Sequence, residues 1–538
     1  MIVNVSFLYC IAMFIQRTYR KGDNGKIYKS VALMQNYREG KKVKHRIITM
    51  LTKWPDNLIE GLDKILKGHK INTVEDLELS NGKSFGALQT VIEVAKRLGI
   101  SKALGTGKRS KLAMLQIAGR VITQGSRNYI ANEWSKTQAI EELLKLTDFN
   151  EDSLYDNLDW LAKNQSKIEK KIFDFRYKDK KAKDIFLYDV TSSYFEGKQN
   201  ELAKYGYNRD KKKGKKQIVV GLMLDSEGYP LTIEVFEGNT SDTKTVSSQL
   251  KKLKENFGVE RVIFVGDKGM IKSGQIEELG SDEYKWNYLT TITKRQIETL
   301  LKSGLLQLSM FDDDLFELES DGIRYIMRKN KYIAEQIERN RQERIEKLQD
   351  LIQNQNKYLK EHKKAKQEVA RRKIDKKAEK FKLSTIIEIT ESDRNFELGI
   401  NEEQYAEKSK LDGCYVVKTD VSKNILDKET AHSRYKDLSK VEFAFRTMKT
   451  TIEEIRPIYV RKESKTRGHV FVAMLAYMIV KYITDAISDL NYTRKHAIGI
   501  LDRIQYVNYT FEDHPINIKP KNLTSEQSDI LSALNIIL

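Results

Sequence analysis

Cysteine is almost absent from this chain, which has only Cys10 and Cys414 in 538 residues. Two cysteines can build neither a disulfide framework nor a cysteine-rich zinc site, and their scarcity indicates a reducing compartment. The seven histidines are scattered, with no pair at helical spacing, so a histidine-based zinc site is not expected. Five prolines and 29 glycines exclude collagen-like and low-complexity proteins.

Long hydrophobic runs are also missing. The run Val5–Ile15 is too short for a membrane span of about 20 residues, and no Lys or Arg precedes it as in a signal peptide. A translation start at Met13 would remove most of it. The run Val470–Ile483 is interrupted by Lys481 and predicts a buried core helix. We therefore expect a soluble, cytoplasmic protein with no membrane partner.

Positive charge is in excess, because 95 Lys and Arg oppose 76 Asp and Glu and give a formal net charge of +19. Such an excess indicates a polyanionic partner, most often nucleic acid, although lysine-rich codon usage is an alternative explanation. Basic residues concentrate in four runs, Arg38–Arg46, Lys211–Lys216, Lys360–Lys382 and Arg461–Arg467. That uneven distribution favours a nucleic-acid partner.

Changes in hydrophobic pattern divide the chain into six predicted regions. They are a basic β-hairpin region (1–55), a helical DNA-binding domain (56–180), the first part of a catalytic core (181–304), an insertion with a long basic helix (305–405), the second part of the core (406–485) and a tail (486–538). The hairpin would turn at Arg38–Lys42. The helical region suits either a helix-turn-helix-like module or a plain bundle. Within the insertion, Lys331–Lys382 has no Gly or Pro and predicts a long exposed helix or helical hairpin. It would be either a solvated arm or a phosphate-contacting or dimerising arm.

The predicted fold class is α/β with a ribonuclease-H-like mixed sheet. Three β-rich runs joined by short turns are followed by a helical segment and a fourth run, which is the opening order of that fold. The runs are Ile185–Tyr194, Gln217–Asp225, Tyr229–Phe236 and Arg261–Asp267.

Three acidic residues are candidates for catalysis. Asp189 lies inside an apolar strand, where a charge is costly unless something binds it, and Asp267 ends another apolar strand. A structural Asp at a strand end and a helix N-cap are the respective alternatives. Glu442 shares one predicted helix face with Tyr435 and Lys449, since the three are seven residues apart. Together the three acids supply oxygen ligands for two Mg²⁺ ions about 4 Å apart, which suits attack at phosphorus.

Four sequence motifs resemble a known family. LYDVTSSYFEG, VFEGNTSD, VGDKGM and YKDLSKVEFAFRTMK occur in the order found in DDE insertion-sequence transposases of the IS-four superfamily. That family has a helix signature of Tyr, two residues, Arg, three residues, Glu, six residues and Lys. Tyr435, Glu442 and Lys449 match it, whereas Leu438 stands at the Arg position and cannot contact a phosphate. Arg446, four residues past Glu442, is a candidate to take over that contact.

The resemblance implies a ribonuclease-H-like transposase that cuts at the ends of its element and joins the 3′-hydroxyls to target DNA. Asp189, Asp267 and Glu442 would bind two Mg²⁺ ions, with Mn²⁺ able to substitute, and Tyr435 and Lys449 would hold the DNA backbone. Its partners would be double-stranded terminal repeats and target DNA, bound by a homodimer at the bacterial nucleoid. A ribonuclease-H-like nuclease without joining activity and a catalytically silent DNA-binding relic remain as alternatives.

Overall fold

The structure is a computed structural model that describes residues 13–21, 26–69, 78–178, 185–197, 199–210, 212, 214–312, 314–450, 460–511 and 514–538. The N-terminal apolar run as far as residue 12, with Cys10, lies outside these residues, as do Lys211 and Lys213 of one basic run. The described strands are β1 Met13–Lys21, β2 Ile27–Glu39, β3 Lys42–Met50, β4 Glu78–Ser84, β5 Ile185–Tyr194, β6 Gln217–Asp225, β7 Pro230–Glu237, β8 Ile263–Val265, β9 Asn287–Thr291, β10 Phe316–Ser320, β11 Ile323–Lys329, β12 Ile387–Ser392, β13 Asn395–Ile400, β14 Cys414–Thr419, β15 Gln505–Phe511 and β16 His514–Ile518.

Helices make up most of the remaining described chain. They are α1 Asp56–Leu66, α2 Gly86–Arg97, α3 Ile100–Leu104, α4 Lys108–Ile122, α5 Arg127–Tyr129, α6 Ser135–Thr137, α7 Ile140–Leu144, α8 Glu151–Tyr177, α9 Asp242–Lys251, α10 Ser273–Gly280, α11 Lys294–Lys302, α12 Lys331–Glu361, α13 Gln367–Phe381, α14 Glu402–Ser409, α15 Lys428–Lys436, α16 Leu438–Thr450, α17 Glu463–Ala486, α18 Arg494–Asp502 and α19 Ser525–Ala533. π-helical turns at Ile130–Trp134 and Lys252–Asn256 and a 3₁₀ turn at Leu308–Phe311 complete the set.

The first compact unit combines described residues up to 82 with 505–521. It contains the antiparallel sheet β1-β2-β3, against which α1 packs, and a second sheet of β16, β15 and β4. Val31, Leu51 and Ile59 form its small buried core. The sequence predicted two strands here, and the structure adds β1, paired along β2 from Met13 opposite Gln35.

The second unit, residues 83–504 and 522–538, is built on an eight-stranded sheet in the order β10-β11-β14-β9-β8-β5-β6-β7. β5, β6 and β7 are antiparallel neighbours, α9 follows, and β8 and β9 are parallel to β5. The predicted mixed α/β class is thus confirmed. On the other side, β14, β11 and β10 continue the sheet with antiparallel pairs. Residues 316–329, which the sequence pattern assigned to the insertion, therefore belong to the main sheet.

The long basic segment folds as a helical hairpin. α12 and α13 pack on each other and on the hairpin β12–β13. Together they bury an apolar core that includes Ile345, Leu348, Ile352, Leu359, Ile374 and Phe396. Burial of these side chains gives the segment a core of its own, so it is not an isolated solvated arm.

The helices before the sheet form a bundle around α17. α2, α4 and α8 all pack on α17, and α8 approaches so closely that a Cβ on Gly468 would lie 2.1 Å from the Leu158 carbonyl oxygen. Nearly all of α4 is buried, which favours the plain bundle over a free recognition helix. By length and composition the 24-residue α17 could cross a membrane, but 72% of its apolar window is buried inside the chain. The predicted core helix is confirmed.

Candidate active site

Asp189 lies on β5, and Asp267 comes two residues after the end of β8, the neighbouring parallel strand. Leu187 of β5 is paired with Val265 of β8, and each aspartate lies two residues further along its own chain. A step of two residues returns to the same face of a sheet. The fold therefore brings two carboxylates that are 78 positions apart in sequence to one place.

The surroundings of Asp189 include the charges of both other predicted acids. Its carboxylate is half-buried and accepts a hydrogen bond from the Val190 backbone N–H at 2.7 Å. Burial first, and then the negative charges of Asp267 and Glu442, raise the pKa of Asp189 to about 7. Like charges act this way only over short distances, so the three side chains face a common space.

Asp267 has two roles at once. Its Oδ1 accepts hydrogen bonds from the backbone N–H groups of Gly269 at 2.6 Å and Met270 at 3.2 Å, which cap a turn; the next helix, α10, has Lys272 at its N-cap. A Cβ on residue 269 would lie 3.0 Å from that oxygen, which explains the glycine. The carboxylate is otherwise exposed, so Oδ2 remains available to a ligand.

The helix that carries Glu442 is shorter than its heptad spacing predicted. Tyr435 lies on α15, whereas Glu442 and Lys449 lie on α16, so the prediction of one continuous helix through all three was wrong. The helix breaks at Asp437, whose carboxylate bridges Arg434 at 3.0 Å and Lys440 at 2.9 Å. These contacts hold a tight turn that periodicity does not reveal.

Tyr435 nevertheless reaches the site. Its hydroxyl lies 2.9 Å from the Thr291 hydroxyl at the end of β9. Burial raises the pKa of Tyr435, and the negative charges of Asp267, Asp189 and Glu442 raise it too. The phenol therefore stays protonated and can donate to an oxygen bound among the acids.

Lys449 is held against β5. Its Nζ donates to the Thr191 hydroxyl at 2.9 Å and the Ser192 carbonyl at 2.6 Å, and it pairs with Asp210 at 2.9 Å. Thr191 is two residues past Asp189, so the cation sits about 7 Å along the strand from the carboxylate. In this structure Lys449 pairs with Asp210, whereas the resemblance implies that Lys449 pairs with the DNA backbone.

A cavity of about 740 Å³ beside α16 is lined by Glu442, Arg446 and Arg494. Neither guanidinium has a hydrogen-bond or ion-pair partner within the described chain. Burial lowers the pKa of Arg494. Leu438, at the family's Arg position, begins α16 and is half-buried. Sequence reasoning proposed Arg446 and missed Arg494. Arg494 begins α18, which is distant in sequence from the Tyr435–Lys449 helix signature.

Arg209 is a second residue that the sequence did not single out. Its backbone N–H donates to the Ser192 hydroxyl at 2.9 Å, and its guanidinium pairs with Asp242. Its positive charge opposes the rise in the pKa of Asp189, so it lies close to that carboxylate. The nearby basic run that begins at Lys211 was the available signal.

The chemistry of these donors fits a divalent cation. Among the described residues, no three Asp, Glu, His or Cys side chains already enclose a single metal position. The negative charges of Asp267 and Glu442 nevertheless act on Asp189, and hard cations such as Mg²⁺ prefer carboxylate oxygens. A bound cation would relieve the repulsion that raises the pKa of Asp189.

Comparison with known families decides the identity of the chain. Residues 180–479, more than half of the sequence, match the transposase DDE domain family. The chain belongs to this family. Residues 15–76 also match the N-terminal domain of IS1634 family transposases. This DDE transposase is therefore a metal-dependent enzyme that cuts and transposes DNA, of insertion-sequence type.

Wider similarity is weak. The structure titled "Cryo-EM structure of piggyBac transposase synaptic complex with hairpin DNA (SNHP)" is 10% identical, with a TM-score of 0.37 over 77% of each chain. A TM-score this low carries no argument about the transposase described here. The comparison with curated proteins found no match.

Proposed function

We propose that this transposase cuts at the ends of its element and joins the freed 3′-hydroxyls to target DNA, as a member of the IS-four superfamily. Asp189, Asp267 and Glu442 would hold two Mg²⁺ ions, and Mn²⁺ would substitute. The observation that carries the proposal is the pairing of β5 with β8, which brings Asp189 near Asp267; burial, and then the negative charges of Asp267 and Glu442, raise the pKa of Asp189. A purely structural strand-end aspartate would instead be neutralised by its neighbours.

Each acid has a distinct task. Divalent cations, when bound, would activate a water or a 3′-hydroxyl and stabilise the leaving oxygen at phosphorus. Asp189 is about half protonated near pH 7 and loses that proton when its carboxylate becomes a ligand. The Gly269 and Met270 amides fix Oδ1 of Asp267 and so orient Oδ2. Glu442, on α16, would supply the third carboxylate ligand.

Four further side chains would position the DNA. Tyr435 can donate to a phosphate oxygen beside the acids, and Lys449 can do so once DNA displaces Asp210. Arg446 and Arg494 share a cavity with Glu442 and have no direct ion-pair partner within the described residues, so they would supply the phosphate contact that Leu438 cannot make.

The remaining assignments extend the proposal to the whole assembly. The substrate would be double-stranded terminal repeats and target DNA, bound by a homodimer in the bacterial cytoplasm at the nucleoid. Region 56–180 and the N-terminal sheet would grip the repeats. The exposed start of α4, at Lys108 and Arg109, is the part of the helical bundle that suits this role.

Separate D189N, D267N and E442Q variants test the proposal in a strand-cleavage assay with Mg²⁺ or Mn²⁺. Each should lose cleavage and keep DNA binding, while D148N, at an exposed carboxylate outside the site, should cut normally. Full cleavage by any of the three removes that residue from the site. Pre-cut ends incubated with plasmid should give joined product, which a simple nuclease or a silent relic cannot make.

A further inference from the structure

The loop between β5 and β6, residues 195–216, exposes two aromatic rings. Tyr205 is 66% exposed and Tyr207 is 82% exposed, although large aromatic side chains contribute most when buried. The same loop has eight Lys or Arg residues against three acidic ones, which gives it a formal charge of +5. Exposed rings on a strongly basic loop are an unusual combination for a structural element.

The backbone at residues 204–207, which carries the two rings, is hydrogen-bonded to the start of β6. Lys204 and Gln217 exchange backbone hydrogen bonds of 3.0 and 2.9 Å, and the Gln217 side chain donates to the Tyr207 carbonyl at 3.0 Å. Gly206, between the two tyrosines, is so close to the end of β7 that a Cβ there would lie 2.0 Å from the Gly238 carbonyl oxygen. The rings are therefore displayed from a fixed backbone, which lowers the entropy cost of binding.

Each exposed ring has a cation beside it. The Lys216 ammonium lies 5.9 Å from the centre of the Tyr205 ring, and the Arg209 guanidinium carbon lies 5.7 Å from the centre of Tyr207. Rings that stack on bases, combined with cations that contact phosphates, are the chemistry by which proteins bind single-stranded nucleic acid.

The loop is tied directly to the proposed active site. Arg209 donates its backbone N–H to Ser192, three residues past Asp189, and the next residue, Asp210, pairs with Lys449 at 2.9 Å. Lys449 in turn lies on the helix that carries Glu442. A nucleotide stacked on Tyr207 would thus lie on a loop that contacts both the strand of Asp189 and the helix of Glu442.

We propose that Tyr205 and Tyr207 form a stacking platform for unpaired bases of the DNA strand that enters or leaves the active site. The inference rests on the proposed function, because it takes the strand at Asp189 to be the substrate. Unpaired DNA is the favoured ligand, since a duplex hides the faces of its bases and leaves only phosphates for the loop to contact.

The test is binding of a fluorescent twelve-nucleotide oligo(dT) and of a duplex of equal length, measured by anisotropy without divalent metal. The Y205A/Y207A variant should bind oligo(dT) at least tenfold more weakly and the duplex within about twofold of wild type. The Y205F/Y207F variant keeps both rings and should bind oligo(dT) like wild type. Y332A is the matched control, because Tyr332 is 68% exposed on α12 and should not affect either ligand.

Three outcomes would overturn the platform: unchanged oligo(dT) binding by Y205A/Y207A, equal losses for oligo(dT) and duplex, or equal losses in the Ala and Phe variants. An unchanged thermal melting curve for Y205A/Y207A shows that the fold is retained. Metal-free binding therefore tests the platform and Mg²⁺-dependent cleavage tests the proposed function, so either can fail alone.

Discussion

Two aspartates on the neighbouring strands β5 and β6 have opposite surroundings. Asp225 is 2% exposed, and its carboxylate accepts hydrogen bonds from the Tyr177 hydroxyl at 2.6 Å, the Tyr229 backbone N–H at 2.9 Å and Arg176 at 3.1 Å. Asp189 has one backbone hydrogen bond and two other acids nearby. In sequence both are simply acids in apolar strands.

The difference separates a structural carboxylate from a functional one. A buried acid whose oxygens are all satisfied, with an arginine to neutralise it, contributes to the fold and has no capacity left for a ligand. An acid held near other acids weakens the fold and retains its capacity to bind a cation. In this sheet, a carboxylate that lacks hydrogen-bond and ion-pair partners is therefore the one that indicates function.

The largest expected contrast is in catalysis. D189N should lower the rate of Mg²⁺-dependent strand cleavage by about a thousandfold or more, because the absence of a metal ligand removes several kcal/mol of transition-state stabilisation. D225N, assayed at a temperature where it stays folded, should cut within about tenfold of wild type. If D225N lost as much activity as D189N, the division between the two aspartates would be wrong.

The two aspartates should rank in the reverse order when the free energy of unfolding is measured, with Asp225 contributing more than Asp189. D225N leaves Arg176 buried without its charge partner and should lower the free energy of unfolding by about 3 kcal/mol, measured by urea denaturation. D148N, at a nearly fully exposed carboxylate, is the control and should change it by less than about 0.5 kcal/mol. A D225N protein as stable as wild type would show that the satisfied carboxylate contributes little.

Much of this site follows from sequence, and the failures have physical causes. Asp189 and Asp267 are recognisable because a charge inside or at the end of an apolar strand is conspicuous. The break between Tyr435 and Glu442 could not be predicted, since it depends on ion pairs of Asp437 in the folded chain. Arg494 could not be found because only the packing of α18 beside α16 brings it into the cavity with Glu442.

The fold shows the same limits. Alternating hydrophobic residues located the strands of the core, but β10 and β11 were assigned to the insertion because their partner, β14, lies beyond the helical hairpin. The core of that hairpin likewise includes Phe396 from β13, a contact between distant segments. Local pattern gives the elements, whereas such pairings depend on the whole chain.

A smaller effect concerns pH and metal. The pKa of Asp189 is about 7 in the folded protein against an ordinary 3.8, so the folded state holds the extra proton between these values. Stability must therefore fall as pH rises from about 4 to 7 and level off above that. Without metal, D189N should exceed wild type by on the order of 2 kcal/mol at pH 8, and the gap should close toward pH 4.

Metal should reverse that gap. Millimolar Mg²⁺ at pH 8 should raise the melting temperature of wild type by a few degrees and leave D189N unchanged, because only wild type has the full ligand set. The rise should shrink at pH 5.5, where protons compete for Asp189. An equal response in both proteins would place the metal elsewhere.

The smallest effect tests Arg209, the cation that opposes the repulsion at Asp189. Its removal in R209Q raises the pKa of Asp189 directly and leaves Asp242 without its partner, which acts in the same direction. The pH at which Mg²⁺ stabilisation is half-maximal should therefore move upward by less than about one unit. K215Q removes a cation from the same loop, where Lys215 pairs with Glu196, and should leave the midpoint in place. A downward shift in R209Q, or equal shifts in both variants, would show that Arg209 does not face Asp189 and that loop charge alone sets the response.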